Sequence, residues 1–382
     1  MNILITSLSY YPNADGVSIV TQYQAEGLVK LGHNVTVVTG ERKEVKKSEV
    51  HNNIKIIRLK AYNEFMLHFG NKKQYMDMVF DLSKDMDIMI NVCLESWNVD
   101  WLLPVLDKIP CKKFLMIHGI SDMSWNQYND FSLYGLIRKI WGDIRWRCFF
   151  PFQWKNIKKY DAIAQLHEED YANRFFKKHG ITDCHILYNA VDDRFFQRSL
   201  PKENRIINVG TFCKRKNQVY CMELFYQSNV EDYELMLIGP RKNKYYEKII
   251  KKKYELDKKY GVRKVQILYE QNREDTIEYI KRSKIYMLTS ITEMFPVSLI
   301  EGMAAGCAFV STDVGINRYL PGGIVGRNRK AMCVALNKMH NEDVCVSYAE
   351  MGRDFATQNC REEKQVKKLE GILYDCLNTE KK

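Results

Sequence analysis

The 382-residue sequence contains no apolar run of about 18 residues, which argues against a membrane-spanning helix. Its first residues, MNILITSLSYYP, lack the basic segment of a secretory signal peptide, and we expect them to form a strand. The eleven cysteines include no C-x-x-C pair, and their odd number favours reduced thiols over a disulfide framework. We therefore expect a cytoplasmic protein.

Further absences narrow the classes of ligand. No Cys and His residues have the spacing of a zinc site. No helix-turn-helix, RRM or zinc-finger pattern accompanies the formal net charge of +11, so nucleic acid is not an expected partner. The positive charge instead favours an anionic small ligand or an anionic lipid surface. We expect no metal and no other cofactor.

The length predicts two domains, and the hydrophobic content of 46% with 27% charged residues is typical of a globular protein. Apolar runs typical of buried strands alternate with helical patterns in both halves, which predicts an α/β fold with parallel sheets. A polar stretch around Pro201 is the expected linker. We place the domains at residues 1–195 and 196–360, followed by a C-terminal helix at 361–382.

The stretch 284–312 is the most informative part of the chain. Lys284–Ser290 is an apolar run typical of a buried strand. After a short loop, Val297–Ala305 has the spacing of an apolar helix that stops at Gly306. Ala308–Ser311 begins the next strand. This order of elements is the building block of a parallel sheet.

Two acids flank the start of that helix. Glu293 lies in the loop at the carboxyl end of the strand, where open α/β sheets bind ligands, and Glu301 lies one turn into the helix. Two carboxylates beside the free N–H groups of a helix start suit a nucleotide attached to a polyol. The alternative is a pair of solvent-exposed glutamates. The other candidate nucleotide-binding residues here are Phe295, Pro296, Val297, Ser298 and Leu299.

Candidate residues elsewhere also follow predicted strands. In the second half, the loop that begins at Gly210 carries Arg215 and Lys216, cations that would stabilise a diphosphate leaving group. In the first half, Gly16 lies in a strand-to-helix loop suited to phosphate, and His118 ends a strand with a side chain able to exchange protons. Solvated loop cations, a plain tight turn and a structural histidine are the respective alternatives.

The segment EMFPVSLIE, from Glu293 to Glu301, and the following GMAAGCAFV strongly resemble the E-x7-E signature of glycosyltransferase family 4. The resemblance covers most of the chain and is stronger in the second half. It implies the GT-B fold, in which two Rossmann-like domains face a central cleft, and a last helix that packs back on the first domain. It also implies a retaining transfer of sugar from a nucleotide-sugar, with a UDP-sugar favoured, to an acceptor hydroxyl.

The resemblance assigns roles to the candidate residues. Lys216 and Arg215 would contact the diphosphate, and Gly16 would approach it. Glu301 would bind the ribose, while Glu293 and His118 would line the site of the transferred sugar. The chain departs from the family pattern where Thr211 replaces an Arg and where Asp15 replaces the first glycine of the Gly16 loop.

The segment 134–159 combines aromatic and basic side chains with one acid, Asp143. This composition is typical of a surface that lies on anionic lipid, and it predicts contact at the inner face of a membrane. The alternative is a long helix that packs its aromatics into the domain, with Pro151 interrupting any single amphipathic face. With the family resemblance, the segment suggests a glycan or lipid-linked acceptor from cell-envelope or capsular polysaccharide synthesis.

Two other functions stay open. The chain could be a GT-B epimerase or phosphorylase, although the E-x7-E segment argues against both. It could also be a non-catalytic scaffold that binds a sugar-nucleotide within a membrane-associated assembly. The departures at Thr211 and in the Gly16 loop keep this second alternative open.

Overall fold

The computed structural model describes residues 1–13, 15–42, 44–65, 67–120, 132–197 and 200–379. The side chains of Arg145, Trp146 and Phe149, which belong to the predicted lipid-binding segment, lie outside the described residues. The chain divides into two units, the first comprising Met1–Asn189 with Glu362–Lys382 and the second comprising Ala190–Arg361. The first crossing between the units therefore lies six residues before the predicted boundary at 195/196.

Ten strands occur in the described part of the first unit, and eight of them form one sheet in the order β10-β9-β8-β7-β1-β2-β4-β3. The strands are β1 (Asn2–Thr6), β2 (Asn34–Gly40), β3 (Ser48–His51), β4 (Ile54–Leu59), β5 (Ala61–Glu64), β6 (Leu67–Gly70), β7 (Ile88–Val92), β8 (Lys112–Met116), β9 (Ala162–Gln165) and β10 (His185–Ile186). The helices are α1 (Gly16–Lys30), α2 (Lys72–Ser83), α3 (Trp97–Asp100), the 3₁₀ helix η1 (Leu103–Lys108), α4 (Leu133–Ile157) and α5 (Tyr171–Lys178).

Apolar side chains cover both faces of this sheet. Along β1, Leu4 belongs to one buried cluster while Ile3 and Ile5 belong to another on the opposite face. Because successive side chains of a strand point to opposite faces, a strand buried on both sides is a continuous apolar run. This is the pattern that identified the central strands in the sequence.

The first unit also contains antiparallel pairs in addition to its parallel strands. Strand β3 pairs with β4 in the antiparallel direction, and β5 pairs with β6 as a separate hairpin. The turn between β3 and β4 is Asn52-Asn53, and both residues have positive φ angles, 50° and 61°. Asparagine tolerates this backbone region, and two such residues in a row close a two-residue hairpin.

The second unit contains one six-stranded sheet in which all the described pairings are parallel, in the order β13-β12-β11-β14-β15-β16. Its strands are β11 (Glu203–Val209), β12 (Glu234–Gly239), β13 (Val265–Tyr269), β14 (Ser283–Leu288), β15 (Ala308–Thr312) and β16 (Gly323–Gly326). Its helices are the 3₁₀ helix η2 (Asp193–Phe195), α6 (Gln218–Gln227), α7 (Lys244–Tyr260), α8 (Arg273–Arg282), α9 (Val297–Ala304), the 3₁₀ helix η3 (Asn317–Tyr319), α10 (Arg329–Met339) and α11 (Glu342–Asn359).

Helix α4 is the long helix that the sequence offered as an alternative, and it runs through Pro151 without a break. Proline removes one hydrogen bond from a helix interior, so packing must hold the two halves together. Phe150 packs on Phe175 with ring centroids 4.3 Å apart, and Trp154 packs on Phe176 at 5.8 Å. This end of α4 is therefore anchored in the first unit.

The other end of α4 exposes apolar side chains. Leu133 is 77% exposed and Ile137 is 59% exposed, and further exposed apolar residues follow at helical spacing, namely Ile140, Trp141 and Ile144. Among the described residues, no helix is long and apolar enough to cross a membrane.

The last helix, α12 (Glu362–Asn378), belongs to the first unit and packs on α1 and β8. Its contact with α1 is close because Gly27 of α1 has no side chain. A Cβ atom added at Gly27 would lie 2.5 Å from a methyl group of Val366. The absence of a side chain at residue 27 therefore sets the distance between the two helices.

We predict that Gly27→Ala destabilises the protein by about 1–3 kcal/mol, because overpacking forces the stiff Val366 side chain or the helix to move. The free energy of unfolding in urea measures this effect. Gly371→Ala in α12 is the matched control, since a Cβ there meets nothing within 4 Å. The control should be neutral or slightly stabilising, and Val366→Ala should partly restore the Gly27→Ala variant. Equal effects of both glycine substitutions would contradict the prediction.

Candidate functional site

The loop after β14 brings a buried acid to the carboxyl end of the second sheet. Glu293 has only 9% of its side chain exposed, and its Oε1 accepts hydrogen bonds from Lys216 Nζ at 2.6 Å and from Arg215 Nη1 at 3.2 Å. Arg215 and Lys216 were predicted from one motif and Glu293 from another. Glu293 follows Arg215 by 78 positions and Lys216 by 77. The structure therefore unites them in one cluster, called here the Glu293 cluster.

Backbone and side-chain hydrogen bonds lock the two loops of the Glu293 cluster together. The Ile291 N–H donates to the Arg215 carbonyl at 2.7 Å, and the Thr289 hydroxyl donates to the Asn217 carbonyl at 3.1 Å. Asn217 has a positive φ of 53° and directly precedes α6. Because β11 and β14 are hydrogen-bonded neighbours in a parallel sheet, the loops at their carboxyl ends lie side by side.

Two glycines of the site have different surroundings. A Cβ at Gly210 would lie 3.6 Å from the Lys216 side chain, an ordinary contact. Gly315 has a φ of 55°, and a Cβ there would lie 2.4 Å from the Met294 carbonyl oxygen and 2.5 Å from the Glu293 carbonyl oxygen. Glycine is thus required at 315, where the backbone supports the loop that carries Glu293.

The start of α9 has unused hydrogen-bond donors. Pro296 is its N-terminal cap residue and provides no side-chain cap. Within the described ranges, no acceptor is bonded to the backbone N–H of Val297 or Ser298, whereas the Leu299 N–H bonds to the Pro296 carbonyl at 3.0 Å. Phe295 is buried. The helix start therefore has the free N–H groups on which the prediction of an anion site rests.

Close packing on the sheet positions helix α9. A Cβ at Gly302 would lie 2.7 Å from the Tyr286 ring, so only glycine lets the helix approach β14 this closely. The Tyr286 hydroxyl donates to the Val209 carbonyl at 3.1 Å and so ties the strand under α9 to its neighbour β11.

The second acid of the motif, Glu301, is buried and has a cationic partner. Arg273 Nη2 donates to its Oε1 at 2.5 Å. Burial raises the pKa of the Glu301 carboxyl, and the Arg273 guanidinium opposes this rise. Arg273 was not among the predicted site residues.

A signal for Arg273 nevertheless exists in the sequence. It is the first residue of α8, after the cap residue Asn272, whose side chain accepts from the Asp275 N–H at 2.8 Å. The helix macrodipole disfavours a cation at that end of a helix. A cation at an unfavourable helix position indicates a further partner, but only the fold identifies Glu301 as that partner.

His118 lies just after β8 in the first unit, at the carboxyl end of that strand. Its Nε2 is buried, and no hydrogen-bond partner for it occurs among the residues described. Burial lowers the pKa of His118 to about 4, so the ring is neutral near pH 7. A neutral ring can donate or accept one hydrogen bond at Nε2, according to its tautomer.

Gly16 was predicted in the loop before a helix, and it is the first residue of α1. An acid, Asp15, caps this helix. The Asp15 carboxylate accepts from the Ser18 N–H at 3.1 Å and from the Ser9 hydroxyl at 2.6 Å. A carboxylate at a helix start occupies the position where the positive end of the helix dipole would otherwise attract a phosphate. Phosphate binding near Gly16 stays a prediction.

Metal ligands do not cluster in the part of the chain that the structure describes. No group of three or more His, Cys, Asp or Glu residues there could hold a metal ion.

Comparisons with known proteins agree with the motifs. Residues 191–321 match the family model described as glycosyl transferases group 1. A 42.6 kDa protein of the cps region of Klebsiella pneumoniae is 39% identical over 64 residues, which cover 16% of this chain and 17% of that protein. The N-acetyl-alpha-D-glucosaminyl L-malate synthase of Bacillus anthracis is 24% identical over 218 residues, which cover 52% of this chain and 55% of that protein. The chain thus matches at most about half the length of these relatives.

Solved structures resemble the whole chain. Sucrose-phosphate synthase from Thermosynechococcus elongatus superimposes with a TM-score of 0.72 at 14% identity, covering 98% of both chains. HepE of Anabaena, solved with UDP-glucose, superimposes with a TM-score of 0.70 at 12% identity, covering 98% of this chain and 100% of that chain. At such low identity the likeness shows the fold, which is the GT-B fold of these glycosyltransferases. The predicted GT-B fold is confirmed, and the match of residues 191–321 to the model of glycosyl transferases group 1 agrees with the predicted family.

Proposed function

We propose that the protein transfers a sugar from a nucleotide-sugar, with a UDP-sugar favoured, to an acceptor hydroxyl with retention of configuration. The observation that carries this proposal is the Glu293 cluster. Two cations share one carboxylate, which leaves a net positive charge at the end of a parallel sheet. A diphosphate leaving group gains charge in the transition state, and fixed cations stabilise that charge.

Each residue of the second unit has a distinct role in this proposal. Lys216 and Arg215 bind the diphosphate, helped by the free N–H groups of Val297 and Ser298. Glu293 accepts hydrogen bonds from hydroxyls of the transferred sugar while it orients both cations. Glu301 accepts from the ribose hydroxyls. HepE, a structural neighbour, was solved with UDP-glucose, which supports a uridine nucleotide as the first donor to test.

In the first unit, His118 contacts the transferred sugar as a neutral hydrogen-bonding group, and Gly16 approaches the donor phosphates. The lowered pKa of His118 supports hydrogen bonding in place of proton donation. The proposal of retention rests on the family resemblance alone. It needs no metal or other cofactor, because Lys216 and Arg215 supply the positive charge.

The acceptor that we propose is a glycan or a lipid-linked intermediate of cell-envelope or capsular polysaccharide synthesis. One relative comes from a cps region, which supports a capsular role. Cytoplasmic enzymes that act on lipid-linked acceptors work at a membrane surface. The exposed apolar end of α4, with Arg138 and Arg147 also exposed on this helix, supports a peripheral location on anionic lipid.

A non-catalytic scaffold is the second candidate function. The Asp15 carboxylate at the start of α1 favours it, since this acid repels a donor phosphate there. Transfer or donor hydrolysis by the purified chain would exclude the scaffold. Product analysis would separate a transferase from a GT-B epimerase or phosphorylase.

We predict that Lys216→Ala lowers the rate of sugar transfer or donor hydrolysis by about 10²–10³-fold, because one preorganised cation on the leaving group is lost. The melting temperature should change little, since Arg215 still pairs with Glu293. Lys214→Ala, an exposed lysine of the same loop, is the matched control. Unchanged turnover in Lys216→Ala would remove this residue from the mechanism.

The lowered pKa of His118 predicts a pH dependence of stability. The folded state disfavours the charged ring, so the neutral ring's contribution to stability is full above about pH 6.5 and is lost as the pH falls toward 4. Lowering the pH from 7.5 to 5 should therefore cost His118→Asn a few degrees less in melting temperature than the wild type. His340→Asn, at an exposed histidine of the second unit, is the control. Identical pH profiles of His118→Asn and wild type would contradict the assigned pKa.

The membrane proposal predicts co-sedimentation with vesicles that contain phosphatidylglycerol, and weak binding to pure phosphatidylcholine vesicles. Replacing Ile137, Ile140 and Ile144 together by Ser should reduce this binding about tenfold or more, because buried apolar area drives interfacial binding. Val262→Ser, which alters an apolar side chain 83% exposed in the second unit, should bind like the wild type. The proposal fails if wild type does not bind, or if the triple variant binds equally well.

A further inference from the structure

The Glu301 carboxylate is held on one side only. In the described part of the chain, the one hydrogen bond to it comes from Arg273 Nη2 and reaches Oε1. We propose that Arg273 is a positioning residue that keeps the Glu301 carboxylate ionised and oriented, so that Oε2 accepts hydrogen bonds from the ribose hydroxyls of the donor nucleotide. This inference rests on the proposed function, in which Glu301 binds ribose.

A buried carboxylate needs such a partner to stay charged. Burial disfavours the ionised form, and the pKa of Glu301 is raised for that reason. The negative charge of Asp192 disfavours ionisation of Glu301 further, whereas the positive charge of Arg273 favours it. An ionised carboxylate accepts shorter and stronger hydrogen bonds from hydroxyls than a neutral carboxyl does.

Arg273 also contacts an aromatic ring, which helps to hold it in place. Its guanidinium carbon lies 5.1 Å from the centroid of the Phe195 ring, which is fully buried. The adjacent Glu274 is tied to the same segment, since Arg194 donates to Glu274 Oε1 at 2.7 Å and also bonds to Asp192. A planar guanidinium can stack on a ring and donate to a carboxylate at once, and a lysine cannot.

Two features distinguish this pair from an ordinary structural ion pair. Arg273 lies at the first position of α8, where the macrodipole disfavours a cation. Arg273 also keeps 38% of its side chain exposed, and an ion pair with one partly exposed member contributes little to stability. Both points favour a role in which the charge on Glu301 itself is used.

Removal of selected ribose hydroxyls tests the proposal directly. The wild type is first screened by thermal shift with UDP, GDP, ADP and CDP, and the nucleotide that binds is compared with its 2′,3′-dideoxy analogue by calorimetry. We expect the wild type to bind the ribonucleotide about tenfold or more tightly than the dideoxy analogue. In Arg273→Gln the ribonucleotide should bind about tenfold more weakly while the affinity for the dideoxy analogue is unchanged.

Three further variants complete the design. Arg273→Lys keeps the charge without the planar fork, so its preference for the ribonucleotide should lie between those of wild type and Arg273→Gln. Glu301→Gln should lose the preference entirely. Arg282→Gln, at the other end of α8 and paired with Glu278 at 2.8 Å, should keep it. If Arg273→Gln does not fold, the Lys variant alone tests the proposal, because a full preference in it shows that the guanidinium is not needed.

Other outcomes overturn the inference. Equal weakening of both nucleotides in Arg273→Gln would show a structural role, and a wild type that does not distinguish them would show that Glu301 does not contact the ribose. Either result leaves the transferase proposal intact if sugar transfer is observed. A wild type that binds none of the four nucleotides and transfers no sugar would instead refute the proposed function.

Discussion

The arrangement of the candidate site in the second unit depends on one carboxylate, Glu293, that pairs with two cations. Glu293 receives Lys216 and Arg215 at distances of 2.6 and 3.2 Å, and the loops that carry them are joined by further hydrogen bonds. Lys216 and Glu293 keep only 16% and 9% of their side chains exposed, so their charges interact more strongly than charges in open solvent do. Arg215 is half exposed, and solvent weakens its share of the interaction. The Glu293 carboxylate thus orients both cations, and it compensates only one of the two positive charges.

The parallel sheet brings the three charged residues together. Adjacent parallel strands end on the same edge, so residues from distant parts of the chain meet in neighbouring loops. Close packing then sets the details. Gly302 lets α9 approach Tyr286, and Gly315 lets the next loop support Glu293. The helix start with its free N–H groups lies in this same segment, so the groups proposed to bind an anion and those proposed to bind hydroxyls belong to one strand–loop–helix unit.

Much of the fold and of the site was accessible from the sequence because it has a local signature. Continuous apolar runs identified the central strands, and the spacing of Glu293 and Glu301 identified the motif. Features without such a signature were not accessible. The antiparallel β3 and the β5–β6 hairpin are short and partly exposed, so they lack the apolar pattern of buried strands. Helix α4 continues through Pro151 because aromatic contacts from α5 hold it.

The sequence by itself determined the class of fold, the order of its elements and the chemical groups available for binding a nucleotide. These follow from periodicity and residue type, which are local properties. Only the tertiary structure decided which charges neutralise one another. Lys216 and Arg215 pair with Glu293, while Arg273 pairs with Glu301. Ionic interactions fall off with distance in space, and distance in space between residues far apart along the chain is set by the packing of the sheet and its helices.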